Sequence, residues 1–132
     1  MSQRPAELAG PVGPVGQVGQ VGQDRVGEVD LVAVRAAAGS VPDPEIRVTL
    51  AELDLIDEVQ VDPAGVVLVG YHLTSPLCPS PFAIDIGKEV RRRVQALPGV
   101  TACRVDIRDH FIARDISAEV NDAPLGPPPA WL

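Results

Sequence analysis

The chain has 132 residues, 45% of them hydrophobic and 22% charged, and a formal net charge of −7. That is enough for one small packed domain, and the acidic balance argues against nucleic-acid binding, which needs a basic footprint. No stretch approaches the run of about 18 apolar residues that a membrane span requires.

With one Trp, one Tyr and two Phe, the core has to be built from Val, Leu, Ile and Ala. The start, Met-Ser-Gln-Arg-Pro-Ala-Glu, has no apolar segment of a secretory signal. A cytoplasmic protein is therefore expected, with Cys78 and Cys103 as reduced thiols.

Residues 11–23 repeat Val-Gly with Pro or Gln, Gly falling at every third place. Gly at this density carries too much chain entropy for a packed element, and the tract is too short and too poor in Pro for a collagen helix. Residues 1–23 are read as a disordered tail or a linker.

From Asp24 to Ala38, the apolar residues Val26, Val29, Leu31, Val32, Val34 and Ala38 recur at a rough helical spacing. A helix is predicted here, with Asp24 as N-cap and Gly39 just past its end. Val41-Pro42-Asp43-Pro44-Glu45 fits neither helix nor central strand, because its prolines remove donors and restrict their predecessors. Leu53 to Val61 alternates apolar and polar, which reads as a half-buried strand with Asp54, Glu58 and Gln60 outward. Asp62-Pro63-Ala64-Gly65 matches a type I turn into a second strand, Val66 to Thr74, so the pair forms an antiparallel hairpin.

The run Leu73-Thr74-Ser75-Pro76-Leu77-Cys78-Pro79-Ser80-Pro81 then sets one cysteine in a loop before a helix. That helix spans about Pro81 to Leu97, with Ser80 as N-cap, Ile86, Val90, Val94 and Leu97 as its apolar stripe, and Pro98-Gly99 as its stop. Arg91-Arg92-Arg93 suits its C-terminal half and reads as a solvated face rather than an anion site. Val100 to Ile107 is a third strand, parallel to the second through the helical crossover. A short helix, Ala113 to Asn121, and an irregular Pro-rich tail, 122–132, complete the chain.

The expected fold is α+β: a small two-layer sandwich of order α-β-β-α-β, with a mixed three-stranded sheet and helices on one face. The domain is placed at 24–121.

Backbone N–H groups and the dipole at a helix start favour a thiolate, so Cys78 is the candidate functional thiol, against the alternative of a small buried hydrophobe. Cys103 alternates with Val105 and Ile107 on a core face and reads as packing. Asp43 and Glu45 either shape their own turn or serve the Cys78 loop by hydrogen bonds or as hard ligands. Thr74 reads as a loop organiser through its hydroxyl. His72 and His110 read as locally satisfied side chains rather than ligands.

Asp43-Pro44-Glu45, Leu53-Asp54-Leu55-Ile56, Leu73-Thr74-Ser75-Pro76 with Cys78-Pro79, and Leu97-Pro98-Gly99-Val100 occur in one order and spacing. Together they resemble the metal-sulfur cluster biosynthesis domain family of the SufT and PaaD type, over roughly residues 24–107. The resemblance implies a fold similar to the C-terminal domain of NifU-type scaffolds. It also implies a role in iron-sulfur cluster assembly or delivery to client apoproteins, with other assembly proteins as further partners. In that likeness Cys78 is the functional thiol and a transient metal ligand, Thr74 stands beside it, and Asp43 and Glu45 form the acidic pair.

The chain departs from the family in three places: Asp54 and Leu77 stand where Gly is usual, and Asp109-His110-Phe111-Ile112 replaces a Trp-containing segment. A cysteine-rich tail is absent.

A stable thiolate-held cluster needs about four ligands, so one chain cannot cage it through Cys78 alone. A homodimer pooling two Cys78 residues, or sharing with a partner, would be required. The reading is a maturation factor rather than an enzyme. The alternative is an adaptor that docks a client, such as an oxygenase-pathway protein, with Cys78 incidental. A thiol-redox enzyme ranks last, because no second cysteine stands at Cys-x-x-Cys spacing.

Overall fold

The computed structural model describes residues 25–132; the repeat tract 1–23 and the expected cap Asp24 lie outside them. The N-terminal helix is shorter than its apolar spacing suggests. Arg25–Val26 (β1) and Val29–Asp30 (β2) form a two-stranded antiparallel ribbon, and α1 runs only from Leu31 to Gly39. Gly27, at φ +59°, turns the ribbon. The cap is Asp30, whose carboxylate accepts from the N–H groups of Val32 and Ala33. Val-rich sequence suits strand as well as helix, and here the cap decides the boundary. Gly39 is the last helical residue and not a left-handed terminator. It is glycine because a Cβ there would stand 2.8 Å from that of Ala51.

The hairpin is as read. Ile56–Val61 (β3) pairs antiparallel with Val66–His72 (β4), and the Asp62–Gly65 turn closes with Gly65 N–H donating to the Asp62 carbonyl at 3.0 Å. Asp62 Oδ1 also accepts from Ala64 and Val66. β3 starts later than Leu53, because Asp54 takes φ +57° in the turn before it. The position where the resembled family carries Gly thus keeps a left-handed backbone, which Asp tolerates better than most residues. Leu77 is not among the residues with positive φ.

α2 spans Ser80–Gln95, and Ala102–Arg108 (β5) then pairs parallel to β4, giving the sheet order β3-β4-β5. Ser80 is the first helical residue rather than the cap; Pro79 holds the cap position, with no side-chain cap bond. α3 covers Ala113–Asp122. The fold is the expected α+β arrangement, a mixed three-stranded sheet with the helices packed on it.

The core lies between sheet and helices. Val67, Val69, Tyr71 and Leu73 of the β4 run and Cys103, Val105 and Ile107 of β5 are buried against Val34 and Ala38 of α1, Ile86, Val90 and Val94 of α2, and Ile116 and Val120 of α3. Gly87 lets α2 approach α3, since a Cβ there would stand 2.7 Å from Val120 Cγ2. No helix among the described residues is long and apolar enough to cross a membrane.

The Tyr71 hydroxyl is fully buried and has no hydrogen-bond partner among the described residues. Burying an unpaired hydroxyl costs about 1–3 kcal/mol. Tyr71→Phe is therefore expected to raise stability by about 1 kcal/mol in urea unfolding, and an unchanged or lower midpoint would show that the hydroxyl is satisfied.

The arginine triplet is the main correction to the sequence reading, because none of it is merely a solvated face. Successive helical residues point about 100° apart, and each arginine meets a different neighbour. Arg91 donates through Nε to the Cys103 carbonyl and through Nη1 to the Val120 carbonyl, both at 2.7 Å. Arg92 pairs with Glu89 and donates to the Leu125 and Gly126 carbonyls, which holds the C-terminal segment on α2. Trp131 Nε1 adds a bond to Asp85 at 3.2 Å. Arg93 pairs with Glu89 at 2.7 Å and reaches the Ser40 carbonyl at 2.9 Å, at the end of α1. α1 and α3 carry no basic residue in their own last turns. Arg93 and Arg91 supply the positive charge that a helix C-terminus favours.

The outer edge of β5 is also closed by side chains. Gln95 accepts from Cys103 N–H, Asn121 both accepts from Val105 N–H and donates to its carbonyl, and Ser117 accepts from Ile107 N–H.

Candidate functional site

Three loops converge on Cys78. The first, residues 42–49, is folded on itself. Asp43 N–H donates to the Val48 carbonyl and Arg47 N–H to the Asp43 carbonyl. Asp43 Oδ1 accepts from Glu45 N–H at 2.8 Å. Arg47, at φ +61°, makes the tight return. Thr49 and Glu52 close the loop with reciprocal bonds of the capping-box kind.

The second loop, residues 73–79, holds the thiol. Cys78 N–H donates to the Ser75 carbonyl at 3.2 Å, and Ser75 Oγ accepts from Leu77 N–H at 3.1 Å. Ser75 Oγ makes the side-chain bond that fixes this loop, whereas Thr74 is exposed and its hydroxyl makes no hydrogen bond among the described residues. No hydrogen bond among the described residues joins the Asp43 or Glu45 carboxylate to this loop.

The third loop follows β5. Asp109, at φ +59°, turns the chain so that His110 points inward and Phe111 outward. His110 is 7% exposed, and its Nε2 lies 2.8 Å from the Cys78 carbonyl. Its Nδ1 accepts from Ile112 N–H at 3.2 Å, so the proton belongs on Nε2, which donates to Cys78. Phe111 N–H donates to the Pro76 carbonyl, and its ring stacks on His110 with centroids 5.4 Å apart. The sequence marks His110 only as a histidine past the third strand. Its part in holding the Cys78 backbone is visible only in three dimensions.

The thiol itself is not the stabilised thiolate that its place before a helix suggests. Cys78 is 5% exposed. Burial pushes its pKa up to about 11, and the charges of Glu45 and Asp43 push in the same direction. The acidic pair therefore faces the thiol and favours its protonated form. Sγ–H points weakly at the Pro79 carbonyl, 3.8 Å away. Cys103 is a core residue with its pKa raised to about 12, mainly by burial. Both cysteines are free thiols. His72 pairs with Asp57 at 3.0 Å. No three His, Cys, Asp or Glu side chains among the described residues form a metal-binding group.

A value near 11 leaves about one Cys78 in ten thousand as thiolate at pH 7. Alkylation by iodoacetamide is expected to rise about tenfold per pH unit up to pH 10 and to level off only above about 11. The unfolded chain levels off near its ordinary value of 9.0. A native plateau by pH 8.5 would contradict this. Because the folded value lies above the unfolded one, the stabilising contribution is complete below pH 9 and is lost as pH climbs through about 11.

These features define a small α+β domain presenting one guarded thiol at the meeting of three loops. The sequence pattern of the iron-sulfur cluster assembly protein family matches residues 31–107, more than half of the chain, and the chain belongs to that family. It is 37% identical over 75 residues to an iron-sulfur cluster carrier protein of Mycobacterium bovis, covering 57% of this chain and 19% of that protein. It is 40% identical over 68 residues to an Fe-S protein maturation auxiliary factor of Porphyromonas gingivalis, covering 52% of this chain and 63% of that one. An uncharacterised protein of Methanocaldococcus jannaschii is 30% identical over 81 residues, which is 61% of this chain and 83% of that protein. The match thus spans about a fifth of the mycobacterial carrier, 19% of its length.

Proposed function

We propose that this chain is an iron-sulfur cluster maturation factor that takes iron or cluster in transit at Cys78 and passes it to client apoproteins. The observation that carries the reading is the convergence of three separately fixed loops on a single thiol, in a chain of the iron-sulfur cluster assembly protein family. The names of its relatives, a cluster carrier and a maturation auxiliary factor, support the same direction.

The chemistry follows from the raised pKa. A protonated, buried thiol resists alkylation and oxidation at rest. A soft metal displaces the proton, which leaves to solvent as the sulfur takes the iron. The neighbouring carboxylates destabilise the free thiolate and so favour the return of the proton when a client thiolate replaces Cys78 at the iron. Asp43 and Glu45 tune the thiol electrostatically, Ser75 and His110 fix its loop, and Thr74 remains open at the rim. One sulfur is too few for a stable cage, so the cargo is shared with a second copy or with the client. The role is carriage and handover rather than turnover.

A second reading is an adaptor in which the same loops dock the client and Cys78 stays idle. The burial of Cys78, 5% exposed, is the observation in its favour. Anaerobic reconstitution with ferrous iron and sulfide, followed by mixing with an apo-ferredoxin, separates the two. Activation of the acceptor faster than by free iron and sulfide is expected. No gain in transfer over free iron and sulfide would overturn carriage and leave the adaptor.

A further inference from the structure

Apolar side chains at full exposure are ordinary when scattered and informative when gathered. Among the described residues, three of the large exposed hydrophobics stand on the loops that meet at Cys78: Leu77 is 71% exposed, Phe111 72% and Ile46 51%. Each is held there by its backbone. Leu77 N–H is fixed by Ser75 Oγ, and Phe111 N–H by the Pro76 carbonyl. Ile46 lies between the Asx turn at Asp43 and the left-handed Arg47. The His110 ring backs that of Phe111. The fold gains nothing by exposing these residues, and their rigid presentation lowers the ordering cost of a contact.

We propose that Ile46, Leu77 and Phe111 form the rim onto which the client docks, and that the docked segment is an apolar stretch carrying Lys or Arg. The inference rests on the carrier reading and names the partner chemistry of the same site. Charge selects the occupant. Glu45 and Asp109 are exposed on the rim and Asp43 lies beneath it, with Arg47 beside them, while Arg108 is held by Glu58 and Asp106. A basic apolar segment complements that surface. A second copy would bring the same acidic rim on a chain of net charge −7, which opposes self-association through this face.

The test needs no metal. Fluorescence anisotropy of a labelled alternating Leu-Lys peptide against the full chain is compared with that of an alternating Leu-Glu peptide. The Leu-Lys peptide is expected to bind and the Leu-Glu peptide to fail. Binding weakens by about tenfold in Leu77→Ser/Phe111→Ser, as for anchor residues at an interface, and by a smaller factor in Glu45→Gln. The replaced side chains are mostly exposed, so folding is checked by the urea midpoint, and Leu77→Ser alone serves as the milder variant. Equal binding of both peptides, or undiminished binding to the double variant, overturns the proposal. A wild-type dimer in light scattering that the double variant dissolves also overturns it, by assigning the rim to a second copy. Failure of the wild type to raise transfer to the apo-ferredoxin above that of free iron and sulfide would sink the carrier reading and leave the peptide result to decide the rim independently.

Discussion

Cys78→Ala is expected to reduce handover to an acceptor apoprotein to the rate of free iron and sulfide, while the domain stays folded. The sulfur is the one thiol at the convergence of the three loops, and Cys103 cannot replace it from within the core. The structural cost is modest, because Cys78 sits in a loop fixed by backbone bonds that do not involve the sulfur: its N–H to Ser75 and its carbonyl from His110. A loss of about 1 kcal/mol in urea unfolding is expected for shortening one buried side chain of this size. Alanine is preferable to serine, which would bury a hydroxyl at the same place. Iron retention, acceptor activation and the unfolding midpoint are measured together on both proteins. Full handover by the Ala variant would show that the sulfur does not carry the cargo and would transfer the function to the docking loops.

Arg91→Leu is expected to cost about 2–4 kcal/mol of stability, among the largest effects available to one side chain outside the apolar core. The guanidinium donates to the Cys103 carbonyl on the edge of β5 and to the Val120 carbonyl in the last turn of α3, each at 2.7 Å. Its third nitrogen reaches Gln95 Oε1 at 3.3 Å, and Gln95 in turn accepts from Cys103 N–H. Removing the fork leaves two carbonyls without their charged donor and takes the cation from the end of α3. Arg91→Lys recovers only part of the loss, since an ammonium cannot reproduce a planar fork aimed at separate acceptors. Urea midpoints of the three proteins check this. A Leu variant within 0.5 kcal/mol of wild type, on the order of the scatter for inert surface changes, would show that these bonds add little.

The parts of the fold that read correctly from sequence are those in which one local rule decides. Asp62-Pro63-Ala64-Gly65 is a turn on residue chemistry alone, and the alternation on both sides of it makes the hairpin. The stripe Ile86, Val90, Val94 fixes the buried face of α2 because no other period fits it. Two local rules compete at residues 25–30, where a Val-rich stretch carries a rough helical spacing and the ribbon wins. The arginines mislead for a different reason: their acceptors, the carbonyls of Ser40, Cys103, Val120 and Leu125, are remote in sequence. At the site, the sequence picks out the cysteine and its loop but not its ionisation. Position before a helix argues for a thiolate, whereas burial and two carboxylates brought from about thirty residues upstream argue more strongly against one. The inward turn of His110 depends on the left-handed Asp109 before it, and local sequence does not announce that.

The side-chain seal along β5 has a consequence for how the domain opens. The N–H groups of Cys103, Val105 and Ile107 are held by Gln95, Asn121 and Ser117 rather than by another strand. Their exchange with deuterium therefore reports detachment of α2 and α3 from the sheet edge, whereas exchange at the intervening positions of β5 reports separation from β4. Two clocks run along one strand. Where Cys103, Val105 and Ile107 exchange faster than the amides between them, the helices lift before the sheet parts; where all exchange together, the domain opens as one cooperative unit.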